Sequence, residues 1–272
     1  MQPLAKPTNA QVFEWGRTMQ PMDGSVPCSV CGGTCSLLDV VDFNKSCEEV
    51  RGKFLPLSGV PVYYAICAKC GFCFAPDLVK WKLEEFKDRI YNDEYVLVDP
   101  DYLEKRPKAN AASLVSLFGE RAHSIAHLDY GGGSGLLASL LRKSNWQSVS
   151  YDPFVDRDIA VEALGRFDLI TAFEVFEHVP DTRELMATLS SLLSPDGLIL
   201  FSTLLSDGNI HFRQRINWWY ASPRNGHISL FSRSSLAILG RNSGFEFGSF
   251  SEGFHALFKK LPPWAAPLIS VK

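Results

Sequence analysis

The sequence predicts an α/β protein: a doubly wound, mostly parallel sheet of the seven-stranded type, preceded by a small zinc-ribbon-like domain. Three observations predict it. An apolar stretch from Ser124 to Asp129 runs into the glycine-rich turn Gly131-Gly132-Gly133-Ser134-Gly135 and leaves as an apolar helix, Leu136 to Leu141. Downstream, short apolar runs alternate with helix-length ones, the pattern of parallel strands joined by crossover helices. All seven cysteines fall between Cys28 and Cys73, which sets that part off as a module of its own. At 272 residues and 46% hydrophobic content, the chain can bury one large core and carry a small appendage.

Residues 1–26 contain prolines and no sustained period, and read as an extended leader. Residues 27–80 form the cysteine module. Its pairs Cys28-Ser-Val-Cys31-Gly32 and Cys67-Ala-Lys-Cys70-Gly71 have the two-residue gap that lets both thiolates of a tight turn face one ion, with a glycine to relax the turn. Two such knuckles make a tetrahedral zinc site. The segment between them, with Phe54, Leu55 and the alternating stretch Val60 to Ile66, has the length and β character of a ribbon hairpin. An odd cysteine count, in a chain whose start shows no charged segment followed by an apolar core, argues against disulfides. Cys35, Cys47 and Cys73 are surplus and read as buried or idle, with Cys73 an alternative to Cys70 as fourth ligand. A closed four-cysteine site leaves no position for chemistry, so the module is expected to hold a lid or to dock a protein partner or a second copy.

Residues 81–106, with Tyr91 and Tyr95, read as a connector, and residues 107–272 as the catalytic domain. The domain opens on a helix from Arg106-Pro107 through Ala109 to Phe118, with proline tolerated in its first turn. Strand one ends at Asp129. In the turn that follows, glycine lets the backbone approach a ligand without a Cβ in the way, and the new helix offers unpaired N–H groups, so a nucleotide-like cofactor is expected there. Strand two, Val149 to Asp152, delivers a carboxylate suited to a ribose diol. Asp129 beside the turn disfavours a pyrophosphate and suits a cationic ammonium. Strand four runs from Leu169 to Phe173 and strand five from Leu198 to Thr203. Ser232 caps a helix through Gly240, and Phe245 to Phe250 with Phe254 to Phe258 reads as a closing antiparallel hairpin.

Asp129-Tyr130-Gly131-Gly132-Gly133-Ser134-Gly135 resembles the class I S-adenosylmethionine-dependent methyltransferases. The resemblance continues through Phe167-Asp168-Leu169-Ile170-Thr171-Ala172-Phe173-Glu174-Val175-Phe176-Glu177-His178-Val179-Pro180-Asp181 and the Pro195-Asp196-Gly197 turn before strand five. Gly226-His227-Ile228-Ser229-Leu230-Phe231-Ser232 is similar to one bacterial branch of these enzymes. The likeness covers about half of the chain, from Leu128 to Phe258. It implies a Rossmann-like fold and S-adenosylmethionine as cofactor, with Asp129, Gly131, Gly132, Gly133 and Gly135 at the methionyl part and Asp152 at the ribose. Phe154 and Phe173 are expected beside the cofactor, Phe154 either stacked on adenine or simply core. Only fifteen residues separate Asp152 from Asp168, too few for the family's helix, third strand and second short helix. The acid that meets the adenine amino group is left to Asp156 or Asp158.

Glu174, Glu177 and His178, at i, i+3 and i+4, share one helix face if a helix begins where strand four ends. With His227 from the later loop they make a mixed oxygen and nitrogen set that suits magnesium, manganese, iron or zinc. This pattern resembles ubiquinone-biosynthesis O-methyltransferases and the metal-dependent small-RNA 3′-terminal 2′-O-methyltransferases, which implies a divalent metal that lowers the pKa of the hydroxyl to be methylated. The residues leave a second reading open, without metal: Glu174 touches the cofactor, Glu177 faces solvent, and His178 is a structural histidine or a general base. His227 has the same two readings, and a third as a hydrogen-bonding member of its own turn. The long loop Leu204 to Gly226 is expected to shape the acceptor pocket, with Trp218, Trp219 and Tyr220 as flat surface and Arg213, Arg215 and Arg224 for a phosphate or carboxylate.

The function these features predict is transfer of a methyl group to a hydroxyl of a small acceptor, a sugar, diol or natural-product intermediate, with His178 or His227 taking the proton. Two alternatives stand beside it. A cysteine ribbon, a tyrosine connector and a methyltransferase domain together resemble zinc-bearing sugar C-methyltransferases of bacterial natural-product pathways, which implies carbon methylation of a keto-sugar. The ribbon also suits a grip on RNA or protein. A net charge of −3 supplies no basic field for nucleic acid, and no apolar run reaches bilayer length, so neither nucleic acid nor membrane is an expected partner and the expected location is the cytoplasm.

Overall fold

The structure is a computed structural model that describes residues 24–266. In chain order it forms β1 (Val26–Pro27), β2 (Thr34–Asp42), β3 (Pro61–Cys67), β4 (Cys73–Phe74), α1 (Leu83–Arg89), α2 (Tyr95–Val98), α3 (Lys105–Phe118), β5 (Ala126–Tyr130), α4 (Leu136–Lys143), β6 (Gln147–Tyr151) and β7 (Phe167–Phe173). There follow α5 (Thr182–Leu192), β8 (Leu193–Ser202), β9 (Ser229–Leu230), α6 (Arg233–Asn242), β10 (Glu246–Ser249) and β11 (Phe254–Phe258). The expected leader lies almost wholly outside the described residues. Among the described residues no helix is long and apolar enough to cross a membrane.

The chain divides into two compact units. The first comprises Met1–Pro100, Glu177–Asp181 and Leu204–Ile238, and the second Asp101–Phe176, Thr182–Thr203 and Leu239–Lys272.

The second unit is built on a sheet with strand order β10-β11-β8-β7-β5-β6, in which β8, β7, β5 and β6 run parallel and the β10–β11 hairpin closes it antiparallel. β7 and the Leu198–Phe201 part of β8 are largely buried and read as near-continuous apolar runs, as parallel strands under helices do, whereas inner strand β5 sets buried His127 and Asp129 on either side of Leu128. Leu114 and Phe118 of α3 meet Leu137 and Leu141 of α4, Trp146, Leu169, Leu198 and Leu200 in one core. Each such side chain contributes roughly 1.5–3 kcal/mol by leaving water. The expected seven strands are six among the described residues. Between β6 and β7 the chain makes only turns and a short 3-10 segment, Val161–Leu164, so β6 is left as the edge. The fifteen-residue gap has no length for a strand and its crossover.

The first unit is an antiparallel sheet of order β1-β2-β3-β4-β9. β3 covers the expected alternating stretch and pairs with β2, whereas Phe54 and Leu55 lie in the irregular connection between the two strands. The added strand β9 comes from the Gly226-to-Ser232 motif, which was expected inside the catalytic domain. Cys73 and Phe74 pair with Leu230 and Ser229, and Phe72 packs on the Phe231 ring at 5.1 Å. These contacts, with the Tyr64 hydroxyl donating to the His227 carbonyl at 2.7 Å, draw residues 204–238 to the cysteine module.

Candidate functional site

In the second unit, β5 delivers the glycine turn. Gly131 has φ 75°, and a Cβ there would come within 2.5 Å of Val175 Cγ2, so only glycine fits. Its N–H donates to the Tyr151 carbonyl at 2.8 Å, tying the turn to the end of β6. Gly132 and Gly133 follow, and Gly135 opens α4. Asp152, buried at the end of β6, accepts from Gly133 N–H at 2.9 Å and from Phe154 N–H at 2.8 Å. Its own N–H donates to Asp156 Oδ2 at 2.8 Å, so Asp156 closes the turn after β6. Phe154 and Phe173 are half-buried, and Phe173 faces Phe254 with ring centroids 6.1 Å apart.

Asp129 lies below the turn, buried, with Oδ1 accepting from the Thr171 hydroxyl at 3.0 Å. Burial pushes its carboxyl up to about 7; the Thr171 hydrogen bond pulls it down and the Asp152 charge adds to the rise. Thr171 in turn meets His127 Nε2 at 3.0 Å, and His127 Nδ1 meets the Ser148 hydroxyl at 2.7 Å. Burial lowers His127 to about 3, so the ring is neutral. Sequence reading missed this chain of groups. Its signal is a polar residue at every second position of an otherwise buried strand.

In the first unit the two cysteine knuckles adopt one geometry. In each, the glycine N–H bonds back to the first cysteine, Gly32 to the Cys28 carbonyl and Gly71 to the Cys67 carbonyl, both at 2.9 Å. The Sγ atoms of Cys28, Cys31, Cys67 and Cys70 all lie within 4.8 Å of one another. Cys28 Sγ is 3.6 Å from Cys70 Sγ, and Cys31 Sγ is 3.4 Å from Cys67 Sγ. A Zn–S length of about 2.3 Å makes the edge of an S₄ tetrahedron about 3.8 Å, so this donor set fits zinc. The Cys35 thiol, and after it Cys70, lower the pKa of Cys28 toward the thiolate that a metal takes. Cys35 itself is buried in β2 and stands outside the set of four. Cys73 is buried in β4, and Cys70, not Cys73, stands with the other three sulfurs.

The cluster at the end of β7 departs from the helical expectation. Glu174 takes a left-handed conformation, φ 54°, and its N–H bonds to the Ser202 carbonyl and hydroxyl at 3.1 and 2.9 Å. Phe176–His178 is a 3-10 turn, and α5 begins only at Thr182. The i, i+3, i+4 register is therefore broken, and Glu174 is not with the other ligands; its carboxylate pairs with Arg106 Nε at 2.8 Å within the second unit. The remaining three, Glu177, His178 and His227, gather in the first unit with their ligand atoms within 4.8 Å.

Glu177 is fully buried and accepts from the Tyr220 hydroxyl, which overturns its solvent-facing alternative. His178 Nδ1 lies 3.1 Å from the Gly226 carbonyl and 3.0 Å from the Tyr91 hydroxyl. His227 Nδ1 lies 2.7 Å from the Tyr220 carbonyl and 3.8 Å from Cys47 Sγ. A carbonyl oxygen can only accept, so both Nδ1 atoms carry a proton. The His178 and His227 ring centroids are 4.8 Å apart. Gly226 has φ 87°, and a Cβ there would strike the Tyr91 hydroxyl and press on His178 Nδ1, so the close approach requires glycine. Two imidazole nitrogens and a carboxylate fit a divalent ion with open positions.

Other loop residues are spoken for. Arg215 pairs with Asp39 at 2.9 Å, and buried Arg224 donates to the Ile90 carbonyl at 3.2 Å. Arg213 is exposed above the Phe212 ring. Trp218 and Tyr220 are buried and Trp219 half-buried. The tyrosine partners of the cluster, Tyr91 and Tyr220, were visible in the sequence as connector and flat surface, but their bonds to His178 and Glu177 carry no spacing signal.

Residues 102–248 match the family of methyltransferase domains. A ubiquinone biosynthesis O-methyltransferase of Azotobacter vinelandii is 31% identical over 133 residues, 47% of this chain and 57% of its own length. That of Colwellia psychrerythraea is 35% identical over 81 residues, 30% of this chain and 33% of its own. Among such curated relatives the chain spans between 33% and 59% of their length. A solved 1,6-didemethyltoxoflavin-N1-methyltransferase of Burkholderia thailandensis, with 1,6-didemethyltoxoflavin and S-adenosylhomocysteine bound, aligns at TM-score 0.44 and 18% identity, over 71% of this chain and 95% of that one.

Proposed function

Because the chain belongs to the family of methyltransferase domains, we propose that it transfers a methyl group from S-adenosylmethionine to a hydroxyl oxygen of a small acceptor, a sugar, a diol or a natural-product intermediate. Asp129 and the glycines Gly131, Gly132, Gly133 and Gly135 take the methionyl part of the donor and Asp152 its ribose. The C–S bond to the methyl breaks as the acceptor oxygen forms its bond to that carbon. The sulfonium keeps the electron pair and becomes a neutral thioether, and the hydroxyl proton passes to a base. Alignment of donor and acceptor supplies much of the acceleration.

The observation that supports the oxygen-directed reading is the grouping of two histidines, His178 and His227, with buried Glu177, their ligand atoms within 4.8 Å of one another. Imidazole is a side chain suited to general-base catalysis, so either histidine is a candidate to take the proton. A magnesium, manganese, iron or zinc ion held by Glu177, His178 and His227 would lower the pKa of a hydroxyl it ligates. Structural zinc on Cys28, Cys31, Cys67 and Cys70 belongs to the same reading, supported by the sulfur spacing. It would stiffen the sheet that carries β9 and, through Tyr64, the backbone of His227.

Incubation with methyl-labelled S-adenosylmethionine and panels of catechols, sugar nucleotides and small RNAs is expected to label a hydroxyl of a small acceptor. Label on a sugar carbon, or on RNA alone, would overturn the reading. In protein that retains its structural zinc, loss of turnover on chelation assigns a metal to the Glu177 cluster, and full turnover assigns proton transfer to the histidines alone.

A further inference from the structure

We infer that Ser148, His127 and Thr171 form a buried relay that orients Asp129 and favours its charged carboxylate for the cationic amino group of the methyl donor. The inference rests on the donor site proposed above and adds positioning residues to it. The register of the sheet builds the relay. His127 stands opposite Ser148 of β6, Asp129 stands opposite Thr171 of β7, and His127 and Asp129, two apart in β5, share one face. All four residues are buried.

The direction of each hydrogen bond follows from the acceptor at the end. Ionised Asp129 only accepts, so the Thr171 hydroxyl gives it its proton at 3.0 Å. Thr171 then has only lone pairs for His127, so Nε2–H donates to it at 3.0 Å, and Nδ1 accepts from the Ser148 hydroxyl at 2.7 Å. Every donor points toward Asp129, and chains of this kind polarise one another. The other carboxylate oxygen, Oδ2, lies against the turn, so close that a Cβ on Gly132 would come within 2.6 Å of it. One oxygen is held inside the sheet while the other faces the turn.

Burial disfavours the charged form of this acid. Burial and the Asp152 charge raise it to about 7, and the Thr171 bond works against both. Asp152, at the end of β6, is a second carboxylate whose charge acts on Asp129. The Tyr130 and Tyr151 phenols at the same strand ends are raised by burial and stay neutral. The sign is fixed: donor affinity is full above the Asp129 pKa and falls as pH drops through it.

The test is calorimetric binding of S-adenosylhomocysteine, which keeps the amino group, to the full chain between about pH 6 and about pH 7.5, where an α-amino group is mostly protonated. Thr171→Val keeps the shape and removes the donor, so the Asp129 pKa rises. For a rise of about one unit, the variant binds about threefold more weakly than wild type at about pH 7.5 and about tenfold more weakly at about pH 6. Thr171→Ser restores wild-type behaviour. A ratio between Thr171→Val and wild type that does not change with pH marks simple damage and overturns the relay, as does wild-type affinity that is flat across this range. No binding by wild type at any pH would refute the donor site itself.

Discussion

The two ligand clusters of the first unit are assembled by opposite logics. The four cysteines come from two copies of one turn, each with its own glycine and its own backbone hydrogen bond, so each pair of ligands is set by five consecutive residues. Glu177, His178 and His227 come from a 3-10 turn and from a loop about fifty residues further on, and their aim is set by Tyr91, Tyr220 and the carbonyls of Tyr220 and Gly226. The first arrangement is closed and self-consistent, which suits stability. The second joins two imidazoles and one carboxylate, a set of three donors that leaves room for further ligands, which suits chemistry.

The largest effect is expected where the closed cluster is opened. Cys67→Ser removes a buried sulfur of the proposed zinc site, and structural zinc in small domains contributes on the order of 10 kcal/mol or more to folding. Metal analysis should fall from about one zinc per chain to near none, and the thermal midpoint should drop by at least about 10 °C. A wild-type chain with no zinc and free, titratable thiols at all four positions would remove the distinction between the clusters.

The open cluster should fail in the other way, in rate and not in stability. His178→Ala should cut turnover by about 10²–10⁴, the range for losing a general base or its equivalent. S-adenosylhomocysteine affinity should stay within about twofold, since the donor-binding residues proposed here belong to the other unit, and the melting midpoint should move far less than in Cys67→Ser. Loss of donor affinity as large as the loss of turnover would mean that the histidine belongs to the donor site.

The same contrast explains what the sequence disclosed. The cysteine knuckles, the glycine turn and the order of the parallel strands are local patterns, and each names its own geometry through spacing. The Glu177 cluster was half legible: the residues were found, the helix was not. The spacing of Glu174, Glu177 and His178 suits a helical face, but the chain turns left-handed at Glu174, where its N–H is taken by Ser202, and tertiary bonding overrides the local pattern. The relay behind Asp129 was illegible for another reason. His127 and Thr171 lie on different strands, and only the register that pairs Asp129 with Thr171 makes them one chain.

The smallest effect, and the sharpest, comes from making one substitution at two positions three residues apart. Glu174→Gln removes the charge from an ion pair with Arg106 whose side chains are 40% and 34% exposed. Water screens such a pair, so its loss should cost less than about 1 kcal/mol in denaturant unfolding. Because Glu174 stands outside the Glu177, His178 and His227 set, the response of turnover to chelation should match that of wild type. Glu177→Gln leaves a neutral amide in a fully buried position beside the Tyr220 hydroxyl and two imidazoles, and should abolish any chelator-sensitive turnover. Equal losses in the two variants would restore the helical face that the spacing suggested, and would put Glu174 back among the ligands against the left-handed turn that now carries it toward Arg106.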